Sequence, residues 1–300
     1  MRVEVAARTA LRFEDGTPVR AASGVVEYDT GWLVVQDDAT HACLLTTPTA
    51  AGTPLRLLPP VDGHDSFDEA AGTKHLKPDL EAACAVGPGA LILGSGSTPA
   101  RMRGVLLARP EAEPLTADLS GLYARIGAAL AVDPEQLNLE GACRVGTALR
   151  WFHRGRPAAG LPSAAIDVPL AALLAAVHGD LDPTAVPLSV PQLLDLGDGL
   201  AVTDAVTLDA HTVLVSAALE DSPDAYDDGA VLASALAILV DGRLTDRVLL
   251  PELDGRVAKV EGLAVRSTDS TDPTGVRLLA TVDADDVDLP SWALDLRLRL

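Results

Sequence analysis

Apolar residues fall in short runs separated by polar turns, and the runs return in a fixed order along the chain. Uninterrupted apolar or mixed runs predict strands at Trp32-Leu33-Val34-Val35, Leu91-Ile92-Leu93, Leu149-Arg150-Trp151-Phe152, Val213-Leu214-Val215 and Arg277-Leu278-Leu279-Ala280. Each is followed by a polar loop and then by a third strand, as at Gly104–Leu107, Ala165–Val168 and Trp292–Leu296. A fourth strand is legible in places, for example Arg247–Leu250. Alanine-rich stretches at 120–131 and 170–176 read as short helices between these units.

A short phrase precedes each unit. Leu80-Glu81-Ala82, Leu139-Glu140-Gly141 and Val260-Glu261-Gly262 repeat closely, Thr203-Asp204-Ala205 carries Asp for Glu, and Ala22-Ser23-Gly24 carries Ser. Anchors at 23, 81, 140, 204 and 261 are spaced by 58, 59, 64 and 57 residues, and the step across the termini is 62. Five near-equal steps, the last wrapping round, predict a ring of four-stranded units. The expected fold is therefore an all-β, five-bladed β-propeller over residues 1–300 as one domain, with six blades the alternative. The run Val3–Leu11 lacks an anchor and is expected to close the ring as the outer strand of the C-terminal blade, removing a bare edge.

Composition narrows the partners. The chain has 43 acidic and 23 basic residues, a net charge of −20, so phosphate backbones and anionic membrane surfaces are repelled. Nine aromatic residues leave few platforms on which bases could stack. Asp outnumbers Glu 31 to 12, which suits a chain full of turns. Cys43, Cys84 and Cys143 are odd in number and show no CxxC spacing, so a disulfide frame or cysteine-based zinc site is not expected. Charges at Arg2, Glu4, Arg8 and Arg12 break any signal core at the start. The expectation is a soluble, cytoplasmic monomer.

Residues at one repeat phase of such a ring share one height on the central channel. Glu81, Glu140, Asp204 and Glu261 would then converge, and carboxylates that converge must bind a cation, be paired, or take up protons. Oxygen donors of this kind suit Ca²⁺ or Mg²⁺; the same carboxylates could instead cap backbone N–H groups. All three lysines, Lys74, Lys77 and Lys259, lie within seven residues before an anchor carboxylate, placed to neutralise the ring or to meet an anionic ligand. The loops after the second strands add Ser95, Ser97, Arg101 and Arg103 in one unit and His153, Arg154 and Arg156 in the next, a set suited to phosphate or carboxylate. Acidic loops at Asp221–Asp228 and Asp283–Asp288 hold the same place later in the chain and read as solvated turns. Cys84 and Cys143 share a phase with Ala264 and read as small core residues. The loop Gly94-Ser95-Gly96-Ser97 is not a nucleophile elbow.

The repeated Asp/Asn-Leu-Glu-Gly/Ala phrase and the Gly94–Pro99 loop resemble a family of uncharacterised bacterial β-propellers and, more distantly, phytase-like esterase and gluconolactonase-type propellers. That resemblance implies acidic ligands for a divalent cation at the central opening, with Glu81, Glu140, Asp204 and Glu261 in those places. Ser23 departs from that pattern. The functional expectation is a small, anionic ligand at the channel mouth, with metal-dependent hydrolysis of a phosphoester, ester or lactone; the alternative is a non-catalytic protein-interaction scaffold.

Overall fold

The computed structural model describes residues 1–110, 112–221, 229–268, 275–284 and 289–300. Its first strand, β1 (Arg2–Ala10), belongs to the last blade. Blade 1 then comprises β2 (Ala22–Tyr28), β3 (Gly31–Gln36), β4 (His41–Leu45) and β5 (Thr53–Arg56). Blade 2 comprises β6 (Leu80–Val86), β7 (Gly89–Gly94), β8 (Arg103–Leu107) and β9 (Leu115–Asp118). The α-helix α1 (Ser120–Leu130) leads to blade 3, formed by β10 (Leu139–Val145), β11 (Ala148–His153), β12 (Ser163–Pro169) and, after α2 (Leu170–His178), β13 (Gln192–Leu194). Blade 4 is β14 (Ala201–Thr207), β15 (Thr212–Asp221), β16 (Ala230–Val240) and β17 (Arg243–Leu249). Blade 5 is β18 (Val260–Thr268), β19 (Gly275–Val282) and β20 (Trp292–Arg299), completed by β1.

Neighbouring strands of every blade are antiparallel. The innermost strands β2, β6, β10, β14 and β18 pack side by side, and β18 meets β2. The molecule is thus a five-bladed β-propeller. Its ring is closed by β1 on β20, with Val3 opposite Leu298 and Thr9 opposite Ala293.

The uninterrupted apolar runs have a simple cause. Each blade is covered on both faces by its neighbours, so alternate side chains enter different cores. Leu91 and Leu93 pack toward Trp151 of blade 3, whereas Ile92 packs toward Leu33 and Val35 of blade 1. Phe152 joins Val213 and Val215 between blades 3 and 4; Leu214 joins Leu278 between blades 4 and 5; Leu279 joins Val34 between blades 5 and 1. Helices α1 and α2 thicken the seam between blades 2 and 3, where Tyr123 meets Trp151 edge-on at 5.0 Å.

The aspartate bias is also explained. Among the described residues with positive φ other than glycine, six of eight are Asp: Asp29, Asp62, Asp79, Asp198, Asp241 and Asp254. Asp tolerates the left-handed region better than most residues. Asp241-Gly242, φ 48° and 76°, closes the β16–β17 hairpin in this way. No described helix is long and apolar enough to cross a membrane.

Candidate functional site

Antiparallel pairing puts the start of each innermost strand at the same end of the channel as the loop following the second strand. At that end every innermost strand slips register by one residue. The slips fall between Ala22 and Gly24, Leu80 and Ala82, Leu139 and Ala142, Val202 and Asp204, and Val260 and Gly262. Such bulges re-aim a side chain, and here they recur at one height. The bulged positions are Ser23, Glu81, Glu140, Thr203 and Glu261. The fourth anchor is therefore Thr203, one residue before the Asp204 that the sequence pattern suggests. Ser23 Oγ donates to the Leu80 carbonyl at 2.6 Å, and Thr203 Oγ1 donates to the Val260 carbonyl at 2.6 Å. In two blades the slot ties adjacent inner strands; in three it carries a glutamate.

Asp204 occupies the following position, which is glycine in three other blades. Contact requires two of those glycines: a Cβ on Gly141 would lie 2.5 Å from Asp204 Cα, and one on Gly262 would lie 2.8 Å from the Gly24 backbone, whereas one on Gly24 would come no nearer than 3.6 Å to any neighbour. Asp204 Oδ2 accepts from the Leu263 N–H at 2.6 Å, while its buried Oδ1 has no hydrogen-bond partner among the described residues. Burial, with Glu140 and Glu261 adding repulsion, holds this carboxyl well above the usual range.

The four acidic anchors do not form one ligand set. Glu81 lies with Asp37, from the loop after β3, and Asp79, from the linker before β6; one oxygen from each falls within 4.8 Å of the others. Lys77 Nζ stands 2.6 Å from Asp37 Oδ2 and 3.0 Å from Asp79 Oδ1. Asp79 Oδ2 also takes the Arg101 guanidinium at 2.9 Å and the Ser95 hydroxyl, with Ser97 Oγ 2.9 Å from Arg101. Burial opposes the charge of Asp79, but Lys77 and Arg101 outweigh it and keep the carboxyl below its usual range. Asp37 and Glu81 go the other way: burial and the neighbouring carboxylates hold both well above it. Asp37 Oδ1 is buried with no hydrogen-bond partner among the described residues.

Glu140 and Glu261 belong to a second group, across blades 3 to 5. Acid and base alternate from Glu140 to Arg154 at 2.9 Å, Arg154 to Glu220 at 2.6 Å, Glu220 to Lys259 at 2.7 Å, and Lys259 to Glu261 at 2.6 Å. Asn138 Nδ2 also donates to Glu140 Oε1 at 2.9 Å. Burial raises the Glu140 carboxyl to about 7, against the pull of Arg154. Burial resists charge on Glu220 as well, yet two cations hold that carboxyl below its ordinary value. The two groups and Asp204 together bring seven carboxylates against four cations, counted among the described residues. The channel end is short of positive charge.

Residues 73–287 match the Family of unknown function (DUF6910). The chain belongs to that family. No curated protein sequence matches it. Among solved structures it is similar to glutaminyl cyclase of Myxococcus xanthus, with TM-score 0.54, 11% identity, and coverage of 99% of this chain and 97% of that one. It is also similar to a putative glycoside hydrolase from Parabacteroides distasonis, with TM-score 0.54, 11% identity, and 93% and 87% coverage. At that identity the likeness is one of fold alone. The phytase-like and gluconolactonase-type resemblance finds no support in the family match.

Other residues singled out by sequence lie apart from these groups. Lys74 sits in a 3₁₀ turn and pairs with the exposed Glu69 at 2.9 Å. Arg103 donates to the Ala100 carbonyl at 2.6 Å. His153 is buried, its Nδ1 against the Asn138 carbonyl at 3.0 Å, and burial lowers its pKa to about 4. It is a neutral packing residue at pH 7. Cys84 and Cys143 line a cavity of about 400 Å³ at the opposite end of the channel, their thiols pushed up to about 12 by burial and so unreactive. Residues 222–228 and 285–288 of the acidic loops lie outside the described residues.

Proposed function

We propose that this protein is a small-molecule-binding propeller acting at the carboxylate-rich end of its channel, with a divalent cation held by Asp37, Asp79 and Glu81. The observation that carries the reading is the unbalanced acid at one height: three oxygens within 4.8 Å, one carboxylate set there by a bulge, and a buried Asp37 oxygen without a partner among the described residues. Hard oxygen donors favour Ca²⁺ or Mg²⁺. Lys77 is the resident counter-ion, and a bound cation would displace its ammonium. When bound, such an ion polarises a phosphoryl or carbonyl oxygen. Glu140, with its carboxyl at about 7, can hold or release a proton at neutral pH. The combination suits hydrolysis of a phosphoester, ester or lactone. The putative glycoside hydrolase shares only the fold and does not fix the bond cleaved.

The test is calcium and magnesium titration of protein purified without chelator, read by thermal melting and by isothermal titration. One site per chain, lost in Glu81→Gln, is the expected result. Identical melting in chelator and in millimolar calcium or magnesium would remove the cation, and with it the hydrolytic reading.

A further inference from the structure

The geometry points to a second binding site, for a small monocarboxylate with an apolar body, in the cavity between blades 4 and 5 beside Arg256. It goes beyond the cation site and does not depend on it. The cavity measures about 360 Å³, within the range of roughly 300–1,000 Å³ typical of small-molecule sites. It opens at the same end as the charged groups, because its walls are the linker before β18, the end of β19 and the starts of β16 and β20.

The walls divide by chemistry. Leu253, Val257, Val282 and Trp292 supply an apolar surface large enough for a ring or a branched chain. Most of the charge there is already used. Arg8 pairs with Asp254 at 2.6 Å and lies over the Trp292 ring at 4.3 Å; Lys259 is committed to Glu220 and Glu261; Asp283 accepts from Ser291 Oγ and from the Ala284 N–H. Arg256 is different. It is exposed, lines the cavity, and no described carboxylate pairs with it. Among the charged side chains that line the cavity, it alone has no ion pair or side-chain hydrogen bond to a described residue. Its planar fork matches a carboxylate with two parallel hydrogen bonds. An anionic head at Arg256 would let the apolar body reach Trp292.

The experiment titrates benzoate into the full chain, with benzylamine as the charge-reversed control, by isothermal titration and by tryptophan fluorescence. Of the three tryptophans only Trp292 lines the cavity, so the ligand-dependent change should come from it and vanish in Trp292→Phe. Saturable one-site binding of benzoate is expected, weakened about tenfold or more in Arg256→Ala and less in Arg256→Lys. Arg256 is exposed, so both variants should fold, with near-ultraviolet circular dichroism as the check. Benzylamine binding as tightly as benzoate, an unchanged affinity in Arg256→Ala, or no saturable benzoate binding would each overturn the assignment.

Discussion

The ammonium of Lys77 lies 2.6 Å from Oδ2 of Asp37, a residue of the preceding blade. Both side chains are more than four-fifths buried, at 17% and 16% exposure. Burial alone would lower the lysine's pKa, but Asp37, Asp79 and Glu81 hold it well above the ordinary value. It is therefore charged across the physiological range, and it offsets a surplus of negative charge.

Lys77→Met should for that reason destabilise in a pH-dependent way. Without the ammonium, Asp37 and Glu81, already above the usual range, rise further, and Asp79 loses part of what lowers it. A carboxyl whose folded pKa is raised binds a proton more readily in the folded state. Its penalty is therefore absent at low pH and grows as pH rises through the folded pKa. The deficit should be about 3 kcal/mol at pH 8 and smaller at pH 5. If a divalent cation binds this trio, calcium should restore much of the loss. Urea unfolding at both pH values, with and without calcium, is the measurement; equal deficits at pH 5 and 8 would refute the charge argument.

Glu140 makes a prediction of opposite use. Its carboxyl is raised to about 7 from an ordinary 4.5, so the wild-type protein should lose stability as pH climbs between those values. Glu140→Gln keeps an oxygen for Asn138 and Arg154 and cannot ionise. Relative to wild type, the variant should gain on the order of 3 kcal/mol between pH 5 and pH 8. A variant whose stability falls with pH as steeply as the parent would assign that slope to another group.

The bulges are predicted to matter without any ligand. Ser23→Ala and Thr203→Val each remove a buried hydroxyl that donates to the neighbouring inner strand, and each should cost about 1–2 kcal/mol, unaffected by chelator. Gly141→Ala should cost more, about 3 kcal/mol, because its Cβ meets backbone rather than a movable side chain. Thermal melting with and without chelator checks the set. A chelator-sensitive loss in Thr203→Val would mean that this slot, too, serves a ligand.

The ring itself was legible in the chain because each blade must bury both faces, which writes the same run of apolar residues five times. The helices at Leu170–His178 and Ser120–Leu130 were legible for the same reason, as alanine-rich exceptions to that pattern. The site was only half legible. Aligning the repeats on their carboxylates placed the fourth anchor at Asp204, whereas aligning on the preceding apolar residue, Val202 with Leu80, places it at Thr203 and evens the spacing to 63 and 58. Asp37 and Glu220 carry no signal in the sequence because they sit at the ends of second strands, outside the repeated phrase. Asp79 was within reach. It stands two residues before its anchor, where Asn138 and Lys259 stand before theirs, and those two residues bond directly to Glu140 and Glu261. That shared position was the signal for a second layer of polar residues.

Strand β1 contributes the outer edge of blade 5, pairing with β20 from Arg2 opposite Arg299 to Ala10 opposite Trp292. Met1, Val3 and Val5 also pack against the apolar cluster between blades 4 and 5. Removing residues 1–10 therefore takes away a full ladder of backbone hydrogen bonds and part of that seam. It also leaves the N–H and C=O groups of β20 free to recruit another chain. For a chain of this size, a loss of several kcal/mol lowers the melting temperature by about 10 °C or more. The truncated protein should melt early and aggregate, whereas supplying a peptide of sequence 1–12 in excess should recover part of the loss by re-forming the pair. Circular dichroism and light scattering on the two samples decide it. A truncated protein that stays monomeric and melts with its parent would mean that the ring holds without its N-terminal strand.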